Sequence, residues 1–239
     1  MNEQTQKEAL QYLVSLGQKE FQRFTAANGL EYTTQGIERV IAPTPKAISA
    51  STLTSLVDYI KGNTDQLGKL IVQVKSPTEV YLMSELKEDK RREDYMSCNA
   101  IVPKIDFDRY VDAEIFNVML QSSFVKNSNV DQLLIVTGRI KDEAVKETGD
   151  DGISQSVTVK TGVASIGAVV VPNPVILAPY RTFPEVLQPE SKFIFRMKCG
   201  PTAALIEADG GAWRNEAMES IKVFLKTELN DIKELTIIS

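Results

Sequence analysis

The sequence predicts an α+β fold, with a mixed but mainly antiparallel sheet and about four helices. Three observations lead to this prediction. Alternating apolar and polar residues are typical of half-buried strands, and the clearest case covers residues 192–198. Apolar residues recur at helical spacing after Trp213. The chain of 239 residues is long enough to bury a sizeable core.

The N-terminal half shows two helix signals and one hairpin signal. Residues 5–8 match a capping box, which predicts a first helix that ends near Gly17. Apolar residues at helical spacing over 53–60 predict a second helix. Two alternating runs, 69–75 and 79–84, flank a Ser-Pro pair and predict a hairpin.

The middle of the chain predicts a strand and two helices. Residues 95–102 form a strand candidate that ends at a proline. Asp112 is placed to cap a helix whose apolar side includes Ile115. Residues 128–138 have helical spacing but strand-like composition, and we interpret them as a helix.

A turn over residues 148–152 and a strand over 153–160 precede an apolar run at 166–171. That run is β-prone and uncharged. An exposed edge of this kind pairs readily with another chain, so we expect it to be buried in the sheet or in a contact between subunits. Val169 and Val171 are its candidate interface residues.

Residues 179–213 hold more local structure than any other window. Prolines make residues 179–189 an irregular arm, which either covers its own core or reaches into a neighbour. Strands over 192–198 and 203–208 form a second hairpin, which turns into a helix at Gly210 and Gly211.

No repeat or flexible linker divides the chain, so a single domain over residues 1–239 is preferred. The alternative is a partial division into a helical and hairpin part, 1–127, and a β-rich part, 128–239.

Composition limits the chemistry. The net charge of −5 argues against a surface that grips nucleic acid everywhere. The absence of histidine removes Ser-His-Asp and Cys-His relays and most zinc sites. Cys98 and Cys199 show no paired spacing and are expected to be reduced thiols, with a structural disulfide as the alternative. The sequence shows no membrane span or signal peptide, so we expect a cytoplasmic protein. We also expect it to hold no cofactor and no metal.

Two acidic groupings admit a metal interpretation. Glu85 and Lys87 have the E-x-K form of Mg²⁺-dependent nucleases, although a solvated charged loop explains them more simply. Asp106, Asp108, Asp112 and Glu114 could hold a hard cation, or Asp112 and Glu114 could serve the start of a helix.

A basic group in the same window admits an anion site. Backbone amides at a helix start, together with arginine side chains, can bind phosphate. The candidate ligand-binding residues are Arg181, Arg196, Lys198, Gly210, Gly211 and Arg214. Glu207 and Asp209 stand beside the same turn, so structural ion pairing is the competing interpretation. Tyr180, Phe183 and Trp213 are interpreted as core or interface anchors rather than base-stacking platforms.

The runs YRTFPEVLQPESKFIFR and IEADGGAW resemble a family of uncharacterised proteins of tailed phages and prophages of Gram-positive bacteria. The resemblance implies a product made inside the bacterial host, and it brings no catalytic residue. We therefore expect a non-enzymatic phage accessory protein that self-assembles into a homo-oligomer and binds a partner. A nucleotide or nucleic-acid binding protein is the alternative, and a Mg²⁺-dependent nuclease is a third hypothesis.

Overall fold

The computed structural model describes residues 3–17, 23–33, 43–138, 147–150, 155–161, 165–170, 173–198 and 202–239. The described helices are α1 (Glu3–Gly17), α2 (Leu53–Gly62), α3 (Ala113–Ser123), α4 (Ser128–Gly138) and α5 (Trp213–Glu228). The described strands are β1 (Arg23–Thr25), β2 (Glu31–Thr33), β3 (Ile48–Ala50), β4 (Leu70–Ser76), β5 (Glu79–Ser84), β6 (Asp94–Asn99), β7 (Val111–Asp112), β8 (Glu147–Asp150), β9 (Gln155–Thr161), β10 (Ser165–Val170), β11 (Val175–Leu177), β12 (Ser191–Lys198), β13 (Thr202–Glu207) and β14 (Leu235–Ile238). The predicted α+β class is confirmed, with five described helices where about four were expected.

A five-stranded sheet has the order β14-β4-β5-β6-β3. Its central pairs are antiparallel, whereas both edge strands, β14 and β3, pair in parallel. The predicted alternation of β4 and β5 is confirmed, since Val72, Val74, Val80 and Leu82 are buried. Helices α2 and α5 contribute their apolar faces to the same core.

A four-stranded antiparallel sheet has the order β11-β12-β13-β7. As predicted, β12 and β13 are paired, and Phe193, Phe195 and Met197 are buried on one face. Helices α3 and α4 supply the other half of this core, where the Phe116 and Phe195 rings are 5.6 Å apart. The helix predicted over 128–138 has the bounds of α4.

The third sheet has the order β10-β9-β8 and is antiparallel. The expected strands after residues 153 and 166 are confirmed. The turn predicted over 148–152 is wrong in part, because Glu147–Asp150 is a strand paired irregularly with β9. Residues 151–152 lie outside the described part of the chain.

Three further predictions need correction. Helix α1 begins at Glu3, so Thr5 lies inside it rather than at its cap. Ile115 is 61% exposed, because α3 turns Ala113, Phe116 and Leu120 towards its sheet. The strand predicted over 95–102 ends at Asn99, ahead of the proline.

Internal contacts group the chain into a small unit, Met1–Lys46 with Leu86–Glu93, and a large unit, Ala47–Glu85 with Asp94–Ser239. The small unit contains α1 and the β1–β2 hairpin, in which the Phe24 and Tyr32 rings stack. The large unit contains the remaining elements. The preferred single domain stays a prediction, and the alternative boundary near Asn127 lies within the large unit. Among the described residues, no helix combines the length and apolar character that a bilayer crossing requires.

Candidate functional site: the arm and its arginine–tryptophan cluster

The proline-rich arm covers the core of its own chain. Phe183 is fully buried among residues of α2, α5 and the five-stranded sheet. Thr182 donates a hydrogen bond to the Pro77 carbonyl at 2.6 Å. The Gln188 side chain accepts from the Arg181 and Thr182 amides and donates to the Phe183 carbonyl. The Gln188 side chain therefore provides hydrogen-bond partners for backbone groups of the arm, which lies outside the named helices and strands.

Arg181 lies at the centre of a buried polar cluster. Its side chain is only 8% exposed, and Nη1 lies 3.1 Å from Glu207 Oε1. Nη2 donates to the Pro189 carbonyl at 3.2 Å and to the Ser191 hydroxyl. The arm, β12 and β13 are thus joined through one guanidinium, whose planar fork suits several acceptors at once.

Asp209 extends the cluster into the turn before α5. It accepts a hydrogen bond from the Ser191 hydroxyl through Oδ2 and from the Gly211 amide through Oδ1. Burial acts to raise the pKa of Asp209, but these hydrogen bonds and the Arg181 charge outweigh it and lower the pKa. The carboxylate is therefore held in its charged form.

The pKa of Arg181 is set by opposing influences. Burial lowers the pKa of Arg181 to about 10, and Arg214 acts in the same direction. Glu207, Asp209 and Glu216 oppose this change. Arg181 stays protonated at neutral pH, because its pKa is still well above 7.

Trp213 lies against two guanidinium groups. The Arg181 Cζ atom is 3.9 Å from the ring centroid and the Arg214 Cζ atom is 4.7 Å from it. Arg181 Nε and Trp213 Nε1 are buried and, within the described part of the chain, have no hydrogen-bond partner.

Gly210 and Gly211 have positive φ, as their predicted turn requires.

The predicted anion receptor is assembled only in part. Arg181 and Arg214 meet at the turn, but Arg181 is paired with Glu207. Arg196 and Lys198 lie farther along β12, and Lys198 is about 23 Å from Ser191 at the usual rise of a strand. Lys198 Nζ instead lies 4.0 Å from the centre of the Tyr110 ring. These contacts favour structural ion pairing around Arg181.

The acidic groupings also have local partners. Glu85 Oε2 lies 3.8 Å from Lys69, and Lys87 pairs with Glu93. Asp112 caps α3, accepting from the Glu114 amide at 2.8 Å, as the simpler interpretation predicted. Among the described residues, no three metal-ligating side chains form a group that could hold an ion.

Of the two cysteines, Cys98 is a buried free thiol. Its burial, reinforced by the charge of Glu185, raises the pKa to about 11. Cys199 lies outside the described residues.

The candidate interface residues have different surroundings. Tyr180 is 41% exposed, whereas Phe183 has no exposed surface left for a partner. Trp213 is half-buried in the cluster. Val169 belongs to β10, which pairs with β9. Val171 lies outside the described residues.

Sequence reasoning missed Ser191 and Gln188 as members of the site. Ser191 connects Arg181 to Asp209, and Gln188 organises the arm. Neither has a distinctive motif. The available signal was a polar residue next to a proline-bounded segment that has few other ways to satisfy its backbone.

No protein-family model, no curated protein and no solved structure matches this chain.

Proposed function

We propose that this chain is a non-enzymatic phage accessory protein that works through self-association and through binding of a partner protein. The observation that carries the proposal is the surface of α1. Each of its described side chains from Gln6 to Tyr12, with Val14 and Ser15, is exposed. Leu10 is 62%, Tyr12 65% and Val14 53% exposed.

A helix of this length gains stability from a packing contact, and the side chains of α1 named above are exposed among the described residues. Isolated helices shorter than roughly 12–15 residues are marginal in water, and packing of an apolar face supplies most of their stability in proteins. Helix α1 has 15 residues, and Leu10 and Val14 are one turn apart on the same face. Packing of this face against the same face of a second copy would bury both side chains in each chain.

Strand β10 gives further support for self-association. Among the described strands it pairs with β9 alone. Its sequence from Ser165 to Val170 carries no charge, which leaves an edge without a common protection against pairing with another chain.

The test is the mass of the full chain in solution, measured by light scattering after gel filtration over a range of concentrations. We expect the wild type to be an oligomer whose mass falls on dilution. Leu10→Glu with Val14→Glu should shift it to the monomer, because the apolar contact is replaced by repelling charges. Gln6→Glu with Gln11→Glu is the matched control, since it adds the same charge to the same helix at exposed polar positions.

A strictly monomeric wild type at about 100 μM, a concentration that saturates interactions in the micromolar range, would refute self-association. Equal masses for the Leu10 and Val14 variant and its control would remove α1 from the contact.

A further inference from the structure

An open groove lies between the arm and α5 in the large unit. Its volume is about 490 Å³, within the range of roughly 300–1,000 Å³ typical of ligand clefts. The apolar walls are Val186 and Leu187 of the arm and Val223 and Phe224 of α5. Leu187 is 87% exposed and Val223 53% exposed, so apolar surface faces solvent on both sides.

Carboxylates accompany this apolar surface. Glu185 of the arm and Glu216 and Glu219 of α5 also line the groove. On α5, Glu216, Glu219 and Val223 lie on one helix face, because residues three and four positions apart are neighbours. The groove is therefore both apolar and acidic.

One of these carboxylates is fixed by contacts within the chain. Glu185 Oε1 accepts from the Thr54 amide at 3.1 Å and from the Thr54 hydroxyl at 3.3 Å, which fixes the side chain at the start of α2. Oε2 of the same carboxylate is buried and, among the described residues, has no hydrogen-bond partner. Glu185 is therefore held within the chain, and the carboxylates that the groove presents at its surface are the exposed Glu216 and Glu219.

We propose that this groove binds a cationic, apolar peptide segment of a partner protein. The apolar walls bind the apolar side chains of the segment, and the exposed carboxylates of Glu216 and Glu219 select lysine or arginine beside them. The inference rests on the partner-binding part of the proposed function and names the chemistry of the partner. Helix α1 of a second copy is a poor occupant, because it carries Glu3 and Glu8 against a single lysine.

The inference is tested on the full chain by fluorescence anisotropy with a short labelled peptide of lysine and leucine in an amphipathic helical pattern. We expect saturable binding to the wild type. Glu216→Gln with Glu219→Gln should weaken binding about five- to tenfold, the loss of two exposed charge contacts. Leu187→Ser should also weaken binding, because it removes part of the apolar wall. It should not affect folding, since Leu187 is 87% exposed.

Glu190→Gln with Glu234→Gln is the matched control. It makes the same change in net charge at two exposed residues that do not line the groove, and its affinity should equal that of the wild type. Two further peptides separate the charge contribution from the apolar contribution. A peptide in which glutamate replaces every lysine should not bind, and a peptide in which serine replaces every leucine should bind much more weakly.

The inference is overturned if the lysine–leucine peptide does not bind, if groove and control variants bind equally, or if either further peptide binds as well as the first. Light scattering on the same samples separates this failure from that of self-association. An oligomer that does not bind the peptide refutes only the groove.

Discussion

The buried arginine offers the sharpest test of the fold around the arm. Arg181→Leu would remove the ion pair with Glu207 and the hydrogen bonds to Pro189 and Ser191. Breaking a buried ion pair typically costs about 3–5 kcal/mol, because the remaining partner is left uncompensated. Glu207 is 27% exposed and regains some hydration, so we expect a loss near the lower end, about 3 kcal/mol.

The assay is urea unfolding at neutral pH, followed by fluorescence and circular dichroism. Trp213 is the only tryptophan of the chain and lies against Arg181, so its fluorescence reports on this unit. Arg181→Lys keeps the charge but not the fork, and should lose about 1–2 kcal/mol. The control is Arg109→Leu at an exposed site, where the change should stay within about 0.5 kcal/mol.

A double-mutant cycle with Glu207→Gln isolates the pair from the other contacts. We expect a coupling energy of at least about 1 kcal/mol. If Arg181→Leu is as stable as the control, or if the coupling energy is zero, the cluster does not stabilise the fold and the structural interpretation of Arg181 is refuted.

Four further predictions follow from the same region. Phe183→Ala should lower the free energy of unfolding by about 3–5 kcal/mol, whereas Leu187→Ala should leave it unchanged; equal effects would refute an anchored arm. Gly210→Ala and Gly211→Ala should each be destabilising by about 1–3 kcal/mol, because both positions have positive φ, and the Arg214 guanidinium that an added Cβ would meet at Gly211 is the end of a flexible side chain that can move aside; unchanged stability of both variants in urea unfolding would contradict this. The folded-state pKa of Asp209 is lowered, so this carboxylate stabilises the fold above the ordinary carboxyl pKa of about 4, and the stabilisation is lost as pH falls through the lower folded value. Asp209→Asn should therefore reduce the loss of unfolding free energy at acid pH. An unchanged dependence of the unfolding free energy on pH would disprove this role of Asp209. A thermal-shift screen with mono-, cyclic and oligonucleotides at low salt should give no stabilisation, and a rise of about 2.7 kcal/mol, as expected at a hundredfold excess over Kd, would restore the nucleotide hypothesis.

Periodicity predicted the regular elements well where one face of a long segment is buried. Residues 192–198 and the helix after Trp213 were placed correctly for this reason. Ile115 was misplaced because adjacent residues diverge by about 100° on a helix, and the position of the sheet, not the composition, decides which of them is buried. The strands Arg23–Thr25 and Glu31–Thr33 are too short for any alternation to reveal.

The candidate site was less predictable, because it joins residues that are distant along the chain. The pairing of an arginine with Glu207 followed from charge alone, but the role of Ser191 depends on where β12 begins. Of the four basic residues that could have converged at the turn, Arg196 and Lys198 do not join Arg181, for a geometric reason. A strand advances about 3.3 Å per residue, so side chains five and seven residues beyond Ser191 cannot reach the same turn.

The charge cluster at Arg181 and the acidic groove favour different ligands. A phosphate that recruited Arg181 would gain about 1.5–3 kcal/mol per charged hydrogen bond but would leave Glu207 without its partner, and breaking a buried pair in this way costs about 3–5 kcal/mol. At the groove a cation meets Glu216 and Glu219, whose side chains are exposed. The closed charge cluster at Arg181 and the exposed carboxylates of the groove therefore favour a basic partner over an anionic one.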